Sequence, residues 1–369
     1  MSFDLKEHLR TLSEFHAPSG YEKPVVDYLR ETWGNWINAF EVDGLGSLIA
    51  IKNGSSSEPR RRIMLAAHTD EIGMAVIEIR DGYLRVSRTA GIDGRTLQAK
   101  PVMVHGKRDL PGVFAAVPPH ISKSTGAGRT HYPEIEEQWI DTGLSAAEIA
   151  ELVQIGDLVT YDAPFLKLKN GLYAGKAMDD RASVAAVSYC LYLLQRRVHD
   201  WDVYAVATAQ EETHLLGATT AAHAVNPDLA IAIDVSFARQ PGVSADYYLE
   251  PGKGLSLSTG PNFHPLLLEK IEKIAKECEI PFSMEPLSGN SGTDAWAIQV
   301  AHQGIPSALF NLPIRNMHSP VETVSLKDIK RIGRLMAEII TVLDDELLDD
   351  ITWKPHRAET VADDENNED

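Results

Sequence analysis

Short apolar runs that stop at acidic or histidine side chains restrict the fold of this chain more than any other feature. Ile63 to Ala67 (IMLAA) runs into His68-Thr69-Asp70-Glu71, Tyr204 to Ala209 into the pair Glu211-Glu212, and Leu229 to Ile233 into Asp234. A fourth run, Ser307 to Asn311, precedes His318. Such runs suit buried strands. Open α/β sheets place their ligand sites beyond the carboxyl ends of their strands, so residues far apart in sequence converge there. Helical patterns alternate with these runs: Leu5, Leu9 and Leu12; Val25, Val26 and Leu29 after Pro24; Val184, Val187, Leu191 and Leu194 after Asp179-Asp180. The last has Leu326, Ile329, Ile332, Met336 and Ile340 on one side, behind a Ser325/Asp328 capping pattern. The alternation predicts an α/β fold of three layers, a mostly parallel sheet with helices on both faces.

From about Met74 the texture changes. MAVIEIR and YLRVSR flank Asp81-Gly82, the signal of a two-residue hairpin, and further short β-like runs follow. Ser145 and Glu148 make a capping box before Ile149, Leu152 and Val153. By Leu168 to Tyr173 the α/β texture resumes. The chain of 369 residues exceeds the size at which one core keeps growing. The expected organisation is therefore a first α/β part over 1–72, an inserted antiparallel, barrel-like module over 73–169, a second α/β part over 170–350, and an acidic, disordered tail over 351–369.

Lysine and arginine total 35 against 53 acidic residues, a net charge of −18. That balance argues against nucleic acid, whose binding depends on clustered cations. The only cysteines are Cys190 and Cys278, and Cys190 lies inside an apolar run, where a buried thiol is the expected state. No apolar stretch reaches the length of a membrane span, and residues 1–10 carry no apolar h-region. A cytoplasmic protein with no membrane partner is expected.

Histidines and carboxylates with no cysteine suit hard or borderline divalent ions. Two ions about 3.5–4 Å apart share a bridging carboxylate and together activate a water. Taken singly each signal is weak. A lone histidine is more often a satisfied core or surface residue than a ligand, acidic pairs stabilise helix starts, and an aspartate after a strand is commonly a turn residue. Their conjunction is what points to a metal centre.

The segments AAHTDEIG (66–73), GKAMDDRAS (175–183), QEETHLLGA (210–218), AIDVS (232–236), SGTDAWAIQ (291–299) and NMHSPVETV (316–324) occur in fixed order. In this they resemble the tetrahedral aminopeptidases, a metallopeptidase family that includes glutamyl and deblocking aminopeptidases and proteins once labelled cellulase M. The likeness runs to about Leu348. It implies a zinc-peptidase-like fold and two divalent ions per subunit, zinc or cobalt. By the same likeness His68 and His318 each bind one ion, Asp179 bridges them, and Glu212 and Asp234 complete the sites. Glu211 is the general base, and Asp70 holds the His68 imidazole in one tautomer. Asp180 is the reserve for the bridge, with a structural ion pair to Arg181 as its expected role. The implied substrates are peptides with a free N-terminus. The implied assembly is a homodimer through the inserted module, growing to a tetrahedral homododecamer.

The chain departs from the family where relatives read EEVGLRGA: His214 and Leu216 replace a glycine and an arginine. His214 is expected to hydrogen-bond locally rather than to ligate. The stretch 237–248 also differs and bears on a pocket wall. Gly292, Thr293 and Asp294 fit a substrate-side loop, or Asp294 caps a helix over 295–303. Rival readings are a related metal-dependent deacylase or amidase, a scaffold without turnover, and a glycosidase, which would leave two strand-end histidines without a role.

Overall fold

The computed structural model describes residues 3–116, 118, 133–243, 249–344, 346 and 348; the acidic stretch 351–369 lies outside the described residues. Strands are numbered in chain order. The main sheet contains β1 (Ala39–Val42), β2 (Leu48–Lys52), β3 (Arg62–His68), β12 (Asp202–Thr208), β13 (Leu229–Phe237), β14 (Leu255–Thr259), β15 (Phe282–Pro286) and β16 (Ser307–Ile314). Their spatial order is β1-β2-β12-β3-β13-β16-β14-β15. The four central strands β12, β3, β13 and β16 are parallel, whereas β1, β2 and β14 introduce antiparallel pairings toward the edges.

Side chains alternate across the sheet with period two, and on the central strands the two faces have different sizes. On β3, Ile63, Leu65 and Ala67 enter a large core, while Met64 and Ala66 enter a smaller one. On β13 the large core takes Leu229, Ile231, Ile233 and Val235, and the small core takes Ala230 and Ala232. The larger core is covered by helices Leu5–Glu14, Lys23–Trp33, Met178–Leu194, Pro265–Glu277 and Leu326–Val342. The smaller one lies under the short helices Leu216–Val225 and Asp294–Ile298, which approach closely through Ala218, Ala221, Ala222 and Ala295. Carried forward, the alternation puts His68 and Asp234 on the alanine side, where the layer is thin. Asp234 sits inside β13 rather than just past it, because pairing with β16 continues through Asp234 opposite Asn311 to Phe237 opposite Ile314.

A closed barrel, in the order β4-β5-β8-β7-β6-β9, lies between β3 and β12 in the chain. It is formed by β4 (Met74–Arg80), β5 (Tyr83–Arg88), β6 (Pro101–His105), β7 (Asp109–Phe114), β8 (Trp139–Asp141) and β9 (Leu158–Tyr161). Arg80 pairs with Tyr83, and the two turn residues between them have φ of 52° at Asp81 and 87° at Gly82, as a tight mirror-type turn demands. Closure leaves the barrel without open sheet edges. Its interior is filled by residues such as Val76, Val86, Val104 and Ile140. The Ser145/Glu148 capping box forms as expected on helix Ala146–Leu152.

A small sheet of β10 (Leu166–Lys167), β11 (Leu172–Gly175) and β17 (Glu322–Ser325) follows, with Gly175 opposite Glu322. The expected Ser325/Asp328 cap does not form. Ser325 makes no side-chain cap bond, and the Asp328 carboxylate accepts from the amides of Gly252 and Gly254 and from Arg331, pinning a loop instead. No helix among the described residues is long and apolar enough to cross a membrane.

The two longest helices, Met178–Leu194 and Leu326–Val342, touch at Gly333, where a Cβ would lie 2.6 Å from the Ala186 carbonyl oxygen and 3.1 Å from Tyr189 Cβ. Valine there gains little helix propensity over glycine, whereas overpacking costs about 1–3 kcal/mol. Gly333→Val is therefore expected to lower the midpoint of thermal unfolding by several degrees; an unchanged melt would contradict this close approach.

Candidate metal centre

The residues singled out on the strand ends converge. His68 ends β3, Glu211 and Glu212 follow β12, Asp234 lies on β13, Asp179 opens the helix Met178–Leu194, and His318 follows β16. All except Glu212 and His318 are buried, and those two are half-buried. Asp179 stands between the histidines: its Oδ1 is 3.2 Å from His68 Nε2 and its Oδ2 is 3.3 Å from His318 Nε2. Glu211 Oε2 lies 3.7 Å from His68 Nε2, and Glu212 Oε1 lies 3.6 Å from His318 Nε2. Donor atoms approach one another in three groups, namely His68/Asp180/Asp234, His68/Glu211/Glu212 and Asp179/Glu212/His318. The backbone takes positive φ at three of these segments, at Ala177, Gln210 and His318. Strain of that kind collects at functional sites.

Several groups hold this arrangement. The Asp70 carboxylate accepts from the amides of Glu211 at 3.0 Å and Glu212 at 3.1 Å and from Ser19 Oγ at 2.6 Å. It also lies 3.3 Å from His68 Nδ1, though without hydrogen-bond geometry. Glu322, which the sequence reading passed over although it sits four residues after His318, accepts from the amides of Asp179 at 3.1 Å and His318 at 2.8 Å. Gly91, from the chain between β5 and β6, offers its carbonyl to His318 Nδ1 at 2.9 Å. Since a carbonyl only accepts, Nδ1 carries a proton, and Nε2 is the nitrogen that would ligate once its own proton is lost. A Cβ at Gly91 would collide with the imidazole. Nothing in the sequence around Gly91 signals that contact.

Two expectations are corrected. Arg181 is not the partner of Asp180: its guanidinium is spent on the carbonyls of Leu12, Phe15, Ala17 and Thr69 and on Glu71. Both Asp180 oxygens are buried with no hydrogen-bond partner among the described residues. Asp294 does not cap its helix, which spans Asp294–Ile298 behind Thr293; its Oδ2 accepts from Thr208 Oγ1 at 2.6 Å and its Oδ1 is buried and unpaired. His214, as expected, bonds locally to the Thr213 carbonyl. Its φ of 112° is a conformation in which glycine is the comfortable residue.

Charge accounting shows what the centre lacks. Eight carboxyl groups (Asp70, Asp179, Asp180, Glu211, Glu212, Asp234, Asp294 and Glu322) share it with two imidazoles. Burial pushes Glu211 up to about 10 against the pull of His68, and burial with the nearby Asp179 pushes Glu212 up to about 7. Burial and neighbouring carboxylates likewise hold Asp180, Asp234 and Glu322 well above the usual carboxylate range. Burial disfavours the imidazolium of His318, yet Asp179 and the other carboxylates raise it to about 10. Asp179 is lowered despite its burial, through both histidines. Unpaired buried acids of this kind each cost stability. An oxygen and nitrogen donor set without sulfur, carrying more negative charge than its own cations offset, fits divalent cations.

Beside the cluster opens a cavity of about 350 Å³, walled by Phe237, Leu287, Leu309 and Met317 and floored by polar side chains. Ser291, Gly292 and Thr293 line it, in keeping with a substrate-side loop.

The chain has relatives in both sequence and fold. The family model described as M42 glutamyl aminopeptidase matches residues 46–335. The lysyl aminopeptidase of Pyrococcus furiosus is 33% identical over 91% of this chain and 97% of its own length. Among solved structures, a TET aminopeptidase from the marine sediment archaeon Thaumarchaeota archaeon SCGC AB-539-E09 superposes with a TM-score of 0.88 at 34% identity, covering 94% of this chain and 99% of that one. The Pyrococcus horikoshii TET1 peptidase, which can assemble into a tetrahedron or a large octahedral shell, has a TM-score of 0.81 at 28% identity, covering 92% and 100%. A metal-ready cluster at the strand ends of a three-layer fold, matched along nearly its whole length, makes this chain a peptidase belonging to the M42 glutamyl aminopeptidase family.

Proposed function

We propose that the chain is a binuclear aminopeptidase that removes the N-terminal residue of peptides. Two divalent ions, zinc or cobalt, would be held by His68, Asp179, Glu212, Asp234 and His318. The observation that carries this reading is Asp179, which turns one oxygen toward each histidine as a bridging carboxylate must. Ions bound there supply a Lewis acid that polarises the scissile carbonyl and lowers the pKa of water.

The side chains do the rest. Glu211 is the general base: it takes a proton from water and passes it to the leaving amine. Without cations burial holds its carboxyl up at about 10; two ions beside it would lower that and leave it ionised, as a base must be. Asp70, through the two amides it accepts, fixes the turn that carries Glu211 and Glu212, and its carboxylate lies beside His68 Nδ1. Glu322 sets the positions of Asp179 and His318 through their amides. We place the protein in the cytoplasm, in keeping with two unbridged cysteines. We assign it a homodimer built through the barrel, as the family resemblance implies, and a tetrahedral homododecamer, by likeness to the TET1 peptidase.

Glu211→Gln is expected to keep both ions in elemental analysis while lowering kcat on aminoacyl-p-nitroanilides by about 10²–10⁴. A variant with near-parental kcat would remove Glu211 from the role of base.

The pH dependence of metal-free protein has a definite sign. A carboxyl whose pKa is raised on folding holds its proton more tightly in the folded state, so its contribution to stability is full below its ordinary 4.5. That contribution is lost as pH rises toward about 7 for Glu212 and about 10 for Glu211. His318, raised from 6.5 to about 10, loses its contribution in the same direction. Zinc held by these residues would relieve this by pairing the ionised groups. The rise in melting temperature on adding zinc to EDTA-treated protein should therefore be larger at about pH 8 than at about pH 5.5. An equal or reversed effect in a thermal-shift assay would count against the ligand set.

A further inference from the structure

The cavity beside the metal centre contains a carboxylate that the proposed chemistry does not use. Glu285, on β15, is half-buried there and held by three neutral donors: Ser236 Oγ at 2.5 Å on Oε1, with Ser256 Oγ at 2.5 Å and Asn311 Nδ2 at 3.0 Å on Oε2. Asn311 is fixed in turn by Ser258 Oγ at 2.8 Å. A carboxylate offers about four lone-pair positions, so three donors leave acceptor capacity facing the cavity. Among the described residues Glu285 forms no ion pair, and the cavity lining contains no lysine or arginine.

Its place in the sheet sets its distance from the chemistry. Ser236 lies two residues beyond Asp234 on β13 and on the same face, about 6.6 Å along the strand. Glu285 touches Ser236, so its carboxylate stands one long side chain away from the candidate ligands. The lining of this cavity also includes the apolar side chains of Phe237, Leu287, Leu309 and Met317. This is a slot for an aliphatic stem with a cation at its tip: the stem packs on the walls while the charge is met by an oriented carboxylate. A short or apolar side chain leaves Glu285 unanswered, and an acidic one is repelled.

We infer that Glu285 makes this site select a lysine or arginine as the N-terminal residue it removes. The inference rests on the aminopeptidase reading above. Glu285 is a specificity-determining residue in it and takes no part in bond cleavage.

The test is kcat/KM of the metal-loaded full chain on Lys-, Arg-, Leu-, Ala- and Glu-p-nitroanilide, for the parent and for Glu285→Gln. The parent is expected to favour Lys and Arg over Leu and Glu by about tenfold or more. Glu285→Gln should lower kcat/KM for Lys and Arg by about 10- to 100-fold, chiefly through KM, and leave Leu nearly unchanged. A parent that prefers Leu, Ala or Glu overturns the inference, as does a variant that loses every substrate equally while its melting temperature stays parental. Should the variant fold poorly, competitive inhibition of the parent decides: lysinamide must inhibit more tightly than leucinamide, and the reverse order refutes the assignment. Absence of hydrolysis on the whole panel is a separate outcome, which removes the aminopeptidase reading and this inference with it.

Discussion

The buried guanidinium of Arg181 is the constraint on which the centre depends. It reaches the carbonyls of Leu12, Phe15 and Ala17 at the end of the first helix and Thr69 beside His68, while the same residue begins the regular part of the helix that carries Asp179 and Asp180. Glu71 completes the knot, contacting Arg181 at 3.2 Å, Lys176 Nζ at 2.8 Å and the Ala17 amide at 2.9 Å. Burial lowers Lys176 to about 8, with Glu71 opposing, and Glu71 is held low despite its burial by the two cations. Breaking one member of such a buried set leaves an uncompensated charge, typically at a cost of about 3–5 kcal/mol. Three stretches of chain that share no sequence neighbourhood are thereby locked in one relation, and His68 and Asp179 are among what they carry.

That knot stands in contrast to the centre beside it. Around Glu71 the charges are balanced by neighbouring cations and by donors that reach every oxygen. Around Asp180, Asp234 and Glu211 they are not, and without cations burial pushes these carboxyls toward their neutral forms. Two adjoining buried acidic groups thus behave in opposite ways because one was supplied with lysine and arginine and the other was not. The fold tolerates the imbalance by wiring the backbone around it: Asp70 and Glu322 accept from amides of the ligand-bearing segments and hold them in place.

Much of this was legible in the sequence, and the limits have physical causes. The strand-end clusters were readable because apolar runs are local and because parallel sheets gather their carboxyl ends. The Asp81-Gly82 hairpin and the Ser145/Glu148 cap were readable because a few residues determine them. Arg181 was misread as the partner of Asp180 because sequence adjacency suggests contact, whereas the two side chains leave the chain in different directions. Glu322 was passed over because its work is done on backbone amides, which no side-chain motif announces, and Gly91 because its contribution is a backbone carbonyl. The Ser325/Asp328 pattern met the local rule for a cap, yet the amides of Gly252 and Gly254 took the carboxylate.

The unequal faces of the sheet have a consequence for how such a chain can change. His68 and Asp234 point to the alanine side only because each is an even number of residues from the small side chains before it on its strand. Inserting or deleting one residue within β3 or β13 would turn the imidazole or the carboxylate into the leucine-rich core and send a leucine or isoleucine into the centre. Connections between strands carry no such parity. Lineages of this fold can therefore lengthen or shorten their loops freely, while the central strands tolerate substitution but not a change of one in length.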